Sequence, residues 1–327
     1  MSTRVLTLVE AVTEAIAEEM ERDERVMLMG EDIAVSGGVF RATEGLLERF
    51  GEARVVDTPL AEAGIVGSAV GLCMTGIRPI VEMQFDSFSY PALDQMLSHV
   101  SRYRWRTRGR MGMPMVMRMP YGGGVHAPEL HEDSPEAYYA HTPGLKVVVP
   151  STPADAKGLL QSAIRDEDPV VFLEPKKLYR SLKGEVAAGD AAVPLGKVRT
   201  VRQGSDVTLM AWGAMVEVCE QTAAALEGEG VSAHVTDVRT LSPLDEEGLL
   251  SAAAATGRVV IVQEAPRRCS VASEIAATIA EHGMYELQAP VRRVTGWDVP
   301  YPYWSVEHLH RPDVARVSQA VHDVLEG

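Results

Sequence analysis

Short apolar runs of strand length alternate with longer runs of helical period along nearly all of this 327-residue chain. A parallel strand needs a long crossover to reach its neighbour, and a helix is the usual crossover. Alternation of this kind confines the chain to an α/β fold with a mostly parallel sheet covered on both faces. The pattern predicts helices over residues 8–20, 62–74, 91–105 and 154–165. It predicts strands at 26–29, 54–57, 79–83, 114–119, 146–149 and 170–173. The pattern lapses between Tyr179 and Gly196, where Lys183-Gly184-Glu185 and Ala188-Gly189-Asp190 read as turns and Pro194 follows. A second α/β unit is expected from Lys197, with strands at 206–211, 232–237 and 258–263 and helices at 214–226, 245–254 and 270–281. The expected division is therefore a first domain at 1–182, a linker at 183–196 and a second domain at 197–327.

The stretch from Asp57 to Gly67 carries the most chemistry. Arg54 to Asp57 reads as a buried strand, Thr58 and Pro59 as a cap and a first-turn proline, and a helix of small residues follows. Glu62 then stands in the first helical turn just past a strand end, where open α/β sheets gather their ligands. It is either a ligand group or a partner of the helix dipole, a role worth about 0.3–1 kcal/mol. Ala61, Ala63, Gly64, Gly67, Ser68, Ala69 and Gly71 keep the helix slim enough for another helix to approach closely. At such a packed junction a carboxylate needs a partner.

A formal charge of −15 and a pI near 5.1 argue against nucleic acid and anionic membranes as partners. No apolar run is long enough to span a bilayer, and no hydrophobic or basic presequence is visible, so a soluble cytoplasmic protein is expected. Cys73, Cys219 and Cys269 lie far apart without C-x-x-C spacing, which predicts buried free thiols, neither disulfides nor zinc ligands.

Three further patterns each have two readings. Tyr121-Gly122-Gly123-Gly124 leads to His126, Glu129, His131, Glu132 and Asp133; the spacing fits no zincin pattern, and a polar glycine loop more often binds no metal. Met111, Met113, Met115, Met117 and Met119 recur at every second position, which favours one face of a strand filling an irregular interior over a soft-metal site. Arg102, Arg104, Arg106, Arg108 and Arg110 form either a solvated helix end or a surface for an acidic partner.

The ordered succession of Gly30-Glu31-Asp32, Thr58 to Gly67, Gln84-Phe85, His131 to Glu136, Pro143 to Val148, Asp166 to Pro169, Phe172 to Pro175 and Asp237 to Pro243 is highly specific. Along essentially its whole length the chain resembles the β subunit of the thiamine-diphosphate-dependent 2-oxo acid dehydrogenases, the decarboxylating component of their multienzyme complexes. The resemblance implies a transketolase-like pyrimidine-binding domain followed by a transketolase C-terminal-like α/β domain. It also implies that Glu62 hydrogen-bonds the cofactor's pyrimidine nitrogen and favours the imino tautomer that activates the thiazolium carbon. His131 is implied as the imidazole beside the substrate carbonyl, assisting acyl transfer to the lipoyl group. Glu132 and Asp133 stand where Ser and Gln are commoner, so negative charge acts on that imidazole if they face inward.

Phe85 and Phe88 are implied to pack on the aminopyrimidine ring; ordinary core packing is the alternative. Branched-chain members commonly carry tyrosine where Phe88 lies. The resemblance further implies a structural potassium ion held at Met115, Ala163, Ile164, Asp166 and Asp168, the last commonly asparagine. The Gly-Asp-Gly motif that holds magnesium and diphosphate in such enzymes does not occur here. An obligate α subunit is therefore expected to hold most of the magnesium site, in an α2β2 heterotetramer docked on a lipoyl acyltransferase core. Phe172 to Arg180 and Glu82 to Phe85 are closer to branched-chain than to pyruvate enzymes, with pyruvate or acetoin dehydrogenase next. A non-catalytic scaffold subunit is the non-enzyme alternative.

Overall fold

A computed structural model describes residues 3–326. The first seven strands are β1 (Thr3–Thr7), β2 (Val26–Gly30), β3 (Val55–Asp57), β4 (Arg78–Glu82), β5 (Val116–Tyr121), β6 (Lys146–Val148) and β7 (Val170–Pro175). They are followed by β8 (Lys183–Ala187), β9 (Arg199–Arg202), β10 (Val207–Ala211), β11 (Ala233–Asp237), β12 (Thr240–Ser242), β13 (Val259–Pro266) and β14 (Arg292–Gly296). The first large sheet runs β12-β6-β7-β5-β4-β2-β3 and is parallel except where β12 meets β6. A second sheet runs β14-β13-β10-β11-β9, parallel except at β9. The α/β class expected from the alternation is the one observed.

The buried strands explain themselves. β4, β5, β7, β10 and β11 are buried at every residue, as largely apolar strands in doubly covered parallel sheets must be. They also carry a few buried charged residues such as Arg118, Glu82 and Glu174. The Leu8–Arg22 helix opens with a capping box. Thr7 N–H donates to Glu10 Oε2 at 2.7 Å, and Glu10 N–H donates back to the Thr7 hydroxyl at 3.4 Å. Its apolar face packs on the Pro153–Arg165 helix.

Four local expectations change. Lys183-Gly184-Glu185, read as a turn, lies in β8, which pairs antiparallel with β1; neither short, half-exposed strand carries a strong periodic signal. The helix expected at 91–105 is a 3-10 turn (Ser87–Ala92), a short α segment (Leu93–Gln95), a π turn (Met96–Val100) and Tyr103–Arg106. The wide turn is closed by Ser101 N–H on the Met96 carbonyl at 3.0 Å, a distortion that no residue type announces. The helix after β3 begins at Glu62 with Ala61 as its N-cap and no side-chain cap, so Thr58 and Pro59 belong to the connecting loop. Cys73 and Cys219 are buried, whereas Cys269 is exposed.

Within the Glu62–Met74 helix, Ile65, Val66, Ala69 and Cys73 face the core, while Gly64, Ser68 and Gly71 face outward. A Cβ on Gly67 would meet Gln95 Oε1 at 3.4 Å, so the small residues admit a close neighbour there, and the outward face is open. Met113, Met115, Met117 and Met119 are all buried in one cluster, with Met111 outside it. β12 comes from the second half of the sequence yet completes the first sheet, and Trp212, Val238 and Leu241 share a core with the β5 methionines. No helix among the described residues is long and apolar enough to cross a membrane.

Candidate active site

The carboxyl edge of the first sheet collects the residues singled out above. β2 ends at Gly30 and delivers Glu31; β3 ends at Asp57 and leads to Glu62; β4 delivers Gln84, Phe85 and Phe88; β5 leads through the glycine loop to His131. The strands wind outward in opposite directions from the β2/β4 pair, the arrangement that opens a crevice at strand ends.

Glu62 is half-buried at the start of its helix. Glu31 lies close by, and burial followed by the negative charge of Glu62 pushes its carboxyl up; the Ala61 N–H opposes this. Glu31 Oε1 and Thr58 Oγ1 are buried without a hydrogen-bond partner. Two carboxylates and an orphaned hydroxyl at the adjacent ends of β2 and β3 make a polar corner of the kind a ring nitrogen or amine could satisfy. Gln84 Nε2 ties β4 to this corner by donating to Asp32 Oδ2 at 3.1 Å.

The His131 ring sits among aromatics, with centroids 4.3 Å from Phe85 and 4.9 Å from Phe88, both edge-on. Phe40 extends the same wall, 5.5 Å from Phe85. His131 Nδ1 lies 2.9 Å from the Glu129 carbonyl, which can only accept, so Nδ1 carries hydrogen and Nε2 is left for chemistry. Glu132 and Asp133 do not direct their charge at the imidazole. Glu132 Oε1 accepts from Ala127 N–H at 2.9 Å and Val125 N–H at 3.2 Å, and its carboxyl is pushed up chiefly by burial. Asp133 Oδ2 accepts from Ser87 Oγ at 2.6 Å and the Tyr90 hydroxyl at 2.8 Å.

The glycine loop is filled by the protein's own carboxylates. Gly123 N–H donates to Glu264 Oε1 at 2.6 Å, and Gly124 N–H donates to Glu307. Tyr301 donates to Glu307 at 2.8 Å and Arg311 to Glu264 at 2.9 Å, so the second unit grips the loop that carries His131. A Cβ on Gly123 would fall 1.7 Å from the Tyr301 hydroxyl, which explains glycine there. Among the described residues no group of three or more His, Cys, Asp or Glu side chains is placed to hold a metal.

The five residues named for potassium meet at one turn, but their oxygens are engaged. Arg78 donates to the Ile164 carbonyl at 3.1 Å and the Asp166 carbonyl at 3.0 Å. Val170 N–H takes the Met115 carbonyl at 3.0 Å, and Asp166 N–H the Ala163 carbonyl at 3.3 Å. Lys146 pairs with Asp166 at 2.6 Å, and Arg104 pairs with Asp168. Arg78, Lys146 and Arg104 thus already engage oxygens of this turn. Arg102, Arg106 and Arg108 line a neighbouring cleft of about 1270 Å³ with the exposed Trp105.

Sequence reasoning assigned no role to three groups at this edge. Glu31 was visible only as part of Gly30-Glu31-Asp32. Asp86 and Lys176 form a fully buried ion pair at 2.7 Å, and Lys176 also donates to the His131 carbonyl. Their only signal was a charged residue shortly after each of two buried strands, Lys176 directly after β7 and Asp86 four residues past the end of β4.

Comparison with known proteins matches residues 4–181 to the transketolase pyrimidine binding domain and residues 196–317 to the transketolase C-terminal domain. The chain is 50% identical to a Bacillus subtilis (strain 168) protein called 2-oxoisovalerate dehydrogenase subunit beta, covering 98% of this chain and 99% of the relative. It is 47% identical to pyruvate dehydrogenase E1 component subunit beta of the same organism, over 98% and 99%. The corresponding Acholeplasma laidlawii protein is 46% identical, over 98% of each. A solved structure described as a split gene transketolase, inactive beta4 tetramer, superposes with a TM-score of 0.81 over 98% of each chain at 24% identity, which speaks to the fold.

Proposed function

This chain belongs to the β subunits of the transketolase-like, thiamine-diphosphate-dependent 2-oxo acid dehydrogenase E1 components, and from that premise we propose how it works and on what. It pairs with an α subunit bearing the Gly-Asp-Gly half of the cofactor site, acts on branched-chain 2-oxo acids such as 3-methyl-2-oxobutanoate, and delivers the acyl group to a lipoyl acyltransferase. The carrying observation is the placement of Glu62, Phe85, Phe88 and His131 along one sheet edge.

Thiamine diphosphate, when bound, supplies the nucleophilic carbon and the electron sink for decarboxylation. Glu62 holds a proton against the pyrimidine nitrogen, a charge-assisted contact strengthened by its half-buried position. Glu31 lies beside it, its carboxyl pushed up by burial and by the charge of Glu62. Phe85 and Phe88 offer flat apolar surface and exclude water. His131 exchanges a proton at the substrate's carbonyl oxygen through Nε2, with Nδ1 fixed on Glu129. Magnesium is assigned to the α subunit, and potassium has no part in this mechanism. The outward Gly64, Ser68 and Gly71 suit close contact with another subunit in an α2β2 assembly.

The apolar wall of Phe40, Phe85 and Phe88 and the Phe172 to Arg180 stretch favour a branched acyl chain; pyruvate or acetoin is the second reading, since pyruvate enzymes are nearly as similar. The test is decarboxylation by the chain alone and paired with its α partner, comparing 3-methyl-2-oxobutanoate, pyruvate and acetoin. Activity only in the pair, highest on the branched acid, is expected. Activity of the chain alone would overturn the shared site. Glu62→Gln in the assembled pair is expected to lower kcat about a hundredfold or more; an unchanged rate would leave only the scaffold reading.

A further inference from the structure

The backbone around His131 is held far more firmly than a surface loop requires. Lys176 and Asp86 are both fully buried, paired at 2.7 Å, and both face the segment from His131 to Asp133. Lys176 Nζ donates to the His131 carbonyl, while Asp86 Oδ1 accepts the Asp133 N–H at 3.0 Å. Asp86 Oδ1 also accepts Ser87 N–H at 2.8 Å, and the Ser87 hydroxyl, whose one hydrogen goes to Asp133, lies 3.0 Å from it, which leaves Asp86 little freedom. Tyr90 and Ser87 then hold the Asp133 side chain. Segment 131–133 is thus tied on both sides of Glu132, from β4 by one partner and from β7 by the other.

The loop has reason to need such ties. His126 and Leu130 adopt left-handed backbone, at φ 61° and 65°, where side chains other than glycine are strained. Strain of this kind persists only where surrounding contacts over-determine the conformation. A buried ion pair is also a poor source of net stability compared with apolar packing. Its geometry is better explained by what it fixes. Lys176 further lies 5.7 Å from the centre of the Phe85 ring, the ring that flanks His131, so the same ammonium borders both backbone and wall.

We propose that Lys176, Asp86 and Tyr90 form a positioning clamp that sets the direction of His131 Nε2 in the reaction. None of the three touches the reacting atoms; each acts through the His131 backbone or the segment attached to it. The proposal rests on the reading of His131 as the reacting imidazole. A misplacement of the order of 1 Å can cost about a hundredfold in rate, so the clamp is expected to govern kcat and to leave KM nearly unchanged.

The experiment uses the assembled enzyme with its α partner and follows acyl transfer to a lipoyl domain. The variant Lys176→Met/Asp86→Asn removes both charges and strands neither. It is compared with wild type, with His131→Asn, and with the triple combination. The expected result is a ten- to hundredfold loss of kcat, KM for the 2-oxo acid within threefold, and less than a twofold further loss when added to His131→Asn. Equal losses in both backgrounds would assign the pair a purely structural role and overturn the proposal, as would no loss in the wild-type background. If His131→Asn is itself as fast as wild type, the reading of His131 fails first. Tyr90→Phe releases one Asp133 contact without altering the buried pair; a three- to tenfold loss confined to the His131 background is expected. It decides the matter if the neutral pair does not assemble, and an effect equal in both backgrounds again refutes the clamp.

Discussion

Glu136→Gln is expected to stabilise the protein at pH 8 and to leave it nearly unchanged near pH 5. Glu136 is fully buried at the junction of the two units; its Oε1 accepts from Trp212 Nε1 at 3.3 Å and its Oε2 has no partner. Burial pushes its carboxyl from 4.5 up to about 7. Between those values the unfolded chain has released the proton that the folded chain keeps, so stability falls as pH rises through the window and is fully present only below it. A shift of this size corresponds to roughly 3 kcal/mol once the pH passes 7. Glutamine keeps the acceptor for Trp212 and never ionises, so the variant escapes that loss. At about 1.5 °C per kcal/mol for a chain of this length, its melting temperature at pH 8 should exceed that of wild type by about 5 °C. Asp237, pushed up to about 6 chiefly by burial, titrates over much of the same range. It is present in both proteins and cancels in their difference. Calorimetric melts from pH 5 to 8 at one scan rate supply the measurement. A difference that is flat with pH, or a variant less stable at pH 8, would refute the assignment of that carboxyl.

Two further changes probe the frame beneath the site. Arg118 is buried across β4, β5 and β7, donating to Glu174 at 2.7 and 2.6 Å and to Glu82. Arg118→Met strands both carboxylates and is expected to cost about 3–5 kcal/mol, read as a large fall in melting temperature or loss of soluble protein; a near-neutral result would contradict the network. Gly123→Ala sets a methyl against the Tyr301 hydroxyl and should destabilise by about 1–3 kcal/mol. Combined with Tyr301→Ala, its loss is expected to be less than additive in thermal melts, and strict additivity would deny the contact.

How much was legible follows from where the information resides. The long helices at Leu8–Arg22 and Pro153–Arg165 and the buried strands β7, β10 and β11 follow from apolar period, because burying one face or both dictates it. β1, β8, β9, β12 and β14 leave little trace in the apolar pattern, since they are short and owe their pairing to partners distant in the sequence. The 91–105 segment carries the period of one helix, and its π turn arises from packing and not from a residue type. At the site, the placement of Glu62 and His131 at strand ends could be argued from strand and helix order. The roles of Lys176 and Asp86 could not, because residues ninety positions apart become partners only once β4 and β7 flank β5 in the folded sheet. The side-chain directions of Glu132 and Asp133 were equally hidden, being set by hydrogen bonds to Ala127, Ser87 and Tyr90.

The lodging of β12 in the first sheet also bears on how the chain matures. Until Thr240–Ser242 emerges from the ribosome, β6 presents an unpaired edge with apolar Val147 and Val148 in it. Synthesis at about 5–20 residues per second keeps that edge open for on the order of ten seconds. Exposed strand edges are templates for wrong pairing. The first domain therefore finishes folding only when the second is under way, and a cut at residues 183–196 would leave it without a strand. Released on its own, such a fragment is expected to self-associate, even though all the sheet-edge residues proposed for catalysis lie within it.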